Sequence, residues 1–357
     1  MQRRRVFRRS TLLVALGFLI FGSVFSILSS SQKLLTRYPS VPIIAGQTRE
    51  RKVQNQTSEV VKVDVDLVTV DALVLRKDNS RIVGDLTRDD FAIYEDGKLQ
   101  DITHFSQGSL PLSVLLMIDR GGCLDPFGSN VRHAAFAALE KLGSNDEVAV
   151  MTYHNSAELL QPFTENRALI ENALNSVPPH DEDANHCLDK AFYAAANYME
   201  RAANPTGRRV VIFITGVTRN FACEGGPGAK TAVHAIYESG SVVCTLIPVS
   251  PDQKVENGVM TLATRVGGVM KVPTLNLKDV TEETGGEYLQ DKPEHLDQTF
   301  GALMDNLRSR FSLAFVSSNK ARDGGTRVLK VGVKPDVEKS RGKLVVKARH
   351  SYIAPRS

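Results

Sequence analysis

Few folds accommodate the stretch Ser113–Leu124, SVLLMIDRGGCL. A short apolar run stops at an acidic residue, Asp119, and passes into Gly121-Gly122. This is the pattern of a buried parallel strand that delivers a carboxylate to the carboxyl edge of an open α/β sheet, the edge where such sheets bind ligands. The following segment, Asp125–Leu142, carries Val131, Ala134, Ala135, Ala138, Leu139 and Leu142 at helical spacing, so the unit reads as strand, loop, helix.

The same alternation recurs downstream. Glu147–His154 and Ala157–Phe163 are apolar runs joined by a tight turn, which predicts an antiparallel edge hairpin. Arg167–Val177 and Leu188–Ala202 read as helices, Arg209–Thr215 as a second buried strand, Ala229–Ser239 as a helix and Ser241–Val249 as a third strand. Leu277–Glu283 is a short helix stopped by Gly285-Gly286, with a strand at Glu287–Leu289 and a helix over Pro293–Arg310. Strands and helices in alternation imply a doubly wound, mostly parallel sheet.

The flanks differ. From Val60 the pattern alternates through Val61, Val63, Val65 and Leu67, then Val68, Val70, Leu73 and Leu75, a long strand or a pair. Lys77–Ser80 is a turn, Leu86–Phe91 a short capped helix, and Phe91–Tyr94 with Lys98–Phe105 a hairpin about an Asp96-Gly97 turn. At the other end Phe311–Val316, Val328–Val333 and Leu344–Ala348 read as strands with no helix between them. Because isolated hairpins are marginal, these are expected to pair with residues 60–108 into a β-sandwich.

Five arginines (Arg3, Arg4, Arg5, Arg8, Arg9) precede an uncharged run from Ser10 to Gln32, strongly apolar over Leu12–Leu28. A basic start before an apolar stretch is an export signal with its charges on the cytoplasmic side. Cleavage and retention as an anchor both remain open, as does a twin-arginine reading of Arg8-Arg9; each puts the rest of the chain outside the cytoplasm. The net charge of +4 rests on this segment, and there is no tryptophan to build a stacking platform, so nucleic-acid binding is not expected. The expected organisation is a leader or anchor over 1–31, a linker over 32–59, a β segment over 60–108, an α/β domain over 109–310 and a second β segment over 311–357.

The order Ser113–Leu124, Glu147–Phe163, Asn185–Ala195, Arg209–Asn220 and Leu277–Glu287 resembles a von Willebrand factor type A domain. The span Val63–Ala354 is similar to its acidobacterial-type relatives. The residues that carry this are Asp89–Gly97, Leu110–Val114, Thr281–Gly286 and His350–Pro355. The resemblance implies a binding module, many of whose members hold Mg²⁺ or a similar ion that captures a partner carboxylate. That site needs Asp-x-Ser-x-Ser, a later Thr, and an Asp closing a Thr-Asp-Gly turn. Here the positions are Asp119, Gly121, Cys123, Asn185 and, after Thr215, Gly216. One carboxylate and both serine hydroxyls are missing, and a hard cation wants oxygen ligands in near-octahedral geometry. Arg120, turned inward, would repel a cation; Asp181, Glu182 and Asp183 read as solvated acids. A vestigial site is expected, with no bound cation and no other cofactor.

Cys244, inside an apolar run, reads as a core residue. On the fold the resemblance implies, Cys123, Cys187 and Cys223 lie on or beside the three loops of the lost site. In an exported protein a disulfide between two of them is expected, Cys123–Cys187 or Cys187–Cys223, or else all three are unpaired. A zinc set of Cys123, Cys187, Cys223 and His186 is the further alternative. Cys123 with His154 or His186 makes a nucleophile–base pair only by force, and His133, His234, His295 and His350 are scattered, so no enzyme is expected. The leading expectation is an exported or tethered module that contacts an unidentified protein at the cell envelope. The alternatives are a Mg²⁺-dependent adhesin with a weakened site and an envelope enzyme using Cys123.

Overall fold

The computed structural model describes residues 67–107, 110–179, 185–204, 207–217, 219–220, 223–249 and 275–356. The expected leader, the linker, residues 60–66 and Asp181–Asp183 lie outside them. Among the described residues no helix is long and apolar enough to cross a membrane.

In chain order the strands β1 (Leu67–Arg76), β2 (Phe91–Glu95), β3 (Lys98–Gln100) and β4 (Ile102–Ser106) come first. Next come β5 (Leu112–Asp119), helix α1 (Gly128–Leu139), β6 (Glu147–Tyr153), β7 (Ala157–Thr164), α2 (Arg167–Asn175), α3 (Leu188–Met199) and β8 (Arg208–Ile214). A short β9 (Arg219–Asn220) leads to α4 (Ala229–Ser239), β10 (Val242–Pro248), a short β11 (Leu275–Asn276) and α5 (Leu277–Glu283). The chain continues with β12 (Tyr288–Asp291), α6 (Leu296–Arg308), β13 (Phe311–Val316) and β14 (Thr326–Val333). It closes on α7 (Pro335–Arg341), β15 (Leu344–Lys347) and β16 (Ser351–Ile353).

The central sheet has the order β12-β10-β8-β5-β6-β7, parallel except for the edge strand β7. All eight residues of β5 are buried because both faces are covered. Leu112, Val114, Leu116 and Ile118 pack with α1, α2 and α6, whereas Leu115 and Met117 pack with α3, α4 and α5. Helix α3 shows why: Leu188, Ala191, Phe192, Ala195, Ala196 and Met199 form one buried stripe, with Phe192 stacked on Phe213 at 4.5 Å. The chain order reverses direction at β5, whose neighbours are β6 on one side and β8 on the other. The loop after Asp119 therefore opens at the topological switch point of the sheet.

The flanking strands form two four-stranded sheets, β15-β1-β13-β4 and β16-β14-β2-β3, which share the core of Val70, Phe91, Ile93, Phe311, Leu313 and Leu329. Thus the N- and C-terminal strands together build the sandwich beside the α/β sheet. Two sequence expectations are corrected here. The second arm of the Asp-Gly hairpin, expected over Lys98–Phe105, breaks at Asp101: β3 pairs with β2, while β4 crosses to the other sheet and pairs with β13. The corner is pinned by Gln100, whose amide donates to Ser318 Oγ (3.0 Å) and accepts from Ser318 N (3.1 Å). A helix, α7, also intervenes in the tail. Pro335 opens it, Asp336 and Glu338 lie in its first turn and Arg341 in its last, which suits the helix dipole.

Candidate functional site

Register alone assembles the first part of the site. Asp119 pairs with Tyr153 of β6, and Ile118 with Ile214 of β8, so Thr215 falls in the same row across the carboxyl end of the sheet. Both hydroxyls converge on one carboxylate oxygen. Thr215 donates to Asp119 Oδ2 at 2.6 Å and Tyr153 at 3.1 Å. Gly121 N donates to the other oxygen, Oδ1, at 2.8 Å.

The second part comes from the start of α3. The amide of Cys187 donates to the carbonyl of His154 (3.0 Å), which ties this helix to the end of β6 and sets His186 over Asp119. His186 Nδ1 lies 2.9 Å from each carboxylate oxygen. Gly121 is required below it: a Cβ there would sit 2.4 Å from the imidazole ring. Cys123 completes the cluster, its sulfur accepting from Gly216 N at 3.1 Å and lying 4.0 Å from Thr215 Oγ. A Cβ on Gly216 would come within 2.9 Å of the Cys123 side chain, so this second glycine makes the room for the sulfur. Donor atoms of Asp119, Cys123 and His186 all lie within 4.8 Å of one another, and among the described residues no second carboxylate joins them.

Cys187 and Cys223 form a disulfide, while Cys123 keeps its thiol. The zinc set that used all three thiols therefore loses two of its four members. The Cys187–Cys223 bond fastens the first turn of α3 to the loop before α4, where Cys223 N also donates to the buried Asp189 (3.0 Å). Asn185, the expected stand-in for the site threonine, does not reach Asp119; its backbone and side-chain amides both donate to Asn155 (3.0 Å). His186, one residue on, takes the place beside the carboxylate. Arg120 turns inward and is buried, but its charge is met by Glu158 (3.2 Å) and by the carbonyl of Pro179 (2.9 Å). Next to this edge a cleft of about 400 Å³ is lined by Asp119, Arg120, Leu124, Arg132, Val177 and Pro179.

The electrostatics oppose nucleophilic chemistry. Burial first, then the neighbouring Asp119 charge, push the Cys123 thiol far above its ordinary value, the reverse of an activated cysteine. Tyr153 is raised for the same two reasons and stays a neutral donor. His154 faces Glu158 (3.8 Å). His186 does have the orienting carboxylate that the sequence did not suggest, yet the thiol beside it is held neutral. Cys244 is a fully buried core residue, its thiol raised to about 11 by burial.

A doubly wound sheet whose first strand ends in this carboxylate, with a threonine after the neighbouring strand, defines the class. Residues 114–218 match the sequence model of the von Willebrand factor type A domain. Among solved structures it is similar to the protein BatB from Bacteroides thetaiotaomicron, with 18% identity over 55% of this chain and 97% of that one, at a TM-score of 0.40. A von Willebrand factor type A protein from Catenulispora acidiphila is 10% identical over 83% of this chain and 75% of its own, at a TM-score of 0.42. The corresponding domain of the type V pili tip protein Mfa5 from Porphyromonas gingivalis is 9% identical over 56% and 95%, at 0.39. No curated protein matches the chain.

Proposed function

We propose that this is a protein–protein interaction module working outside the cytoplasm, and that its sheet edge contacts a partner without Mg²⁺ or another hard divalent ion. The observation that carries the reading is the state of Asp119. Its two oxygens already accept from Tyr153, Thr215 and Gly121 N and face His186. An octahedral Mg²⁺ needs a shell of oxygens at about 2.0–2.1 Å. The positions that would supply them hold Gly121, Cys123 and Gly216; the oxygens that do reach the carboxylate, those of Thr215 and Tyr153, are taken up in donating to it, and the other donor atoms clustered with it are nitrogen and sulfur. The residues do not fit the ion that the family resemblance implies. What the edge offers a partner instead is the cleft beside Asp119, lined by Leu124, Val177, Pro179 and Arg132.

Export is supported by the five N-terminal arginines before the uncharged run and by the Cys187–Cys223 disulfide, a bond favoured in oxidising compartments. Residues 12–28 would then serve as a cleaved leader or as an anchor. A non-catalytic role is supported by the buried, neutral thiol of Cys123. The test is affinity capture of envelope proteins on the immobilised full chain, run once in MgCl₂ and once in chelator. The same partners are expected in both. Partners retained only with Mg²⁺, and lost on Asp119→Ala, would establish the weakened-adhesin reading instead.

A further inference from the structure

We propose that Asp119, Cys123 and His186 form a binding site for a borderline-soft divalent ion of the zinc class, held by one carboxylate oxygen, one thiolate sulfur and one imidazole nitrogen. Only Asp119 is shared with the hard-ion arrangement; the other two donors come from positions where that arrangement has hydroxyls or nothing. Imidazole and thiolate suit zinc and its neighbours in the first transition row and are poor ligands for Mg²⁺. This inference is independent of whether the sheet edge binds a protein.

The geometry is close to what such an ion requires. With zinc–nitrogen and zinc–oxygen bonds of about 2.0–2.1 Å and zinc–sulfur of about 2.3 Å, tetrahedral angles separate the donors by about 3.3–3.6 Å. The three donor atoms lie within 4.8 Å of one another, and His186 Nδ1 is 2.9 Å from the carboxylate. Seating the ion opens that contact by about 0.5 Å and draws in the sulfur. Asp119 is buried while Cys123 and His186 are half-buried, so the cluster is anchored from below and reachable from above.

The surroundings are those of a built site. Thr215 and Tyr153 hold Oδ2, so the ion would take a remaining lone pair of Oδ1 beside the Gly121 N–H, and hydrogen bonds of this kind orient ligating carboxylates. Gly216 N points its hydrogen at the Cys123 sulfur, an arrangement that favours the thiolate formed when binding releases the thiol proton to solvent. Gly121 and Gly216 leave the space that the imidazole and the sulfur occupy, and a Cβ at either would collide with them. The disulfide at Cys187, next in sequence to His186, fixes the loop that presents the ring. Three protein ligands leave a fourth position for water or an incoming donor.

The test uses the full chain with its disulfide intact, stripped by chelator and titrated with ZnCl₂ against a chromophoric chelator, and separately with CoCl₂. One equivalent of zinc is expected, with a sulfur-to-cobalt charge-transfer band in the near ultraviolet. Cys123→Ser should abolish the band and weaken zinc at least about tenfold, His186→Ala should weaken it by a similar factor, and excess MgCl₂ should displace nothing. His234→Ala, at an exposed histidine paired with Glu238, should change nothing. Absence of the band in the unaltered chain would overturn the proposal. So would zinc binding that survives both Cys123→Ser and His186→Ala.

Discussion

Asp119 illustrates how one side chain can be legible and its surroundings not. An apolar run ending in an acid announces a carboxylate at a sheet edge, and the residue stands there. Its hydroxyl partners gave no such signal: Tyr153 and Thr215 close apolar strands, and they lie 34 and 96 residues away in sequence. Only strand register brings them to the same row. Thr215 is the stronger of the two contacts, and its hydroxyl also accepts from Val217 N at 3.1 Å. Thr215→Val keeps the shape and leaves a buried carboxylate one donor short, which is expected to cost about 1.5–3 kcal/mol. A thermal melt of the full chain should show this as a drop of several degrees, and an unchanged midpoint would mean that Asp119 does not depend on the row.

Elements were readable where one period dominated. The buried strands, the α3 stripe and the glycine stop after α5 follow directly from apolar spacing. The break at Asp101 did not, because Ile102–Ser106 alternates as well as a continuing hairpin arm would. Helix α7 was hidden for a similar reason: it buries only Val337, so no apolar stripe marks it between two alternating strands. The loops were readable only in part, since the fold that the resemblance implies brings Cys123, Cys187 and Cys223 to one edge without saying which two bond. The Cys187–Cys223 bond spans a separation of 36 residues and joins the α3 start to the loop before α4. Replacing both cysteines by serine is expected to cost about 3–4 kcal/mol, mainly by freeing the unfolded chain. Melts with and without reductant check this. A midpoint indifferent to reductant would show that the loops are held by packing alone.

The α/β sheet and the sandwich are locked together by charge as well as by chain connection. Arg208, at the start of β8, pairs with Asp71 of β1 at 3.1 Å and donates to the carbonyl of Arg310 at 2.6 Å. The bottom of the sheet is thus fixed to the sandwich, while the loop after Asp119 lies at the opposite ends of the strands. On the reading proposed above, such a division would let the architecture persist while the positions of the oxygen ligands hold a thiol, an imidazole and a glycine. The most direct measurement is a calorimetric titration of MgCl₂ into the chelator-treated full chain. No saturable heat is expected at millimolar Mg²⁺; one-to-one binding that disappears in Asp119→Asn would contradict the proposal that this edge works without a hard divalent ion.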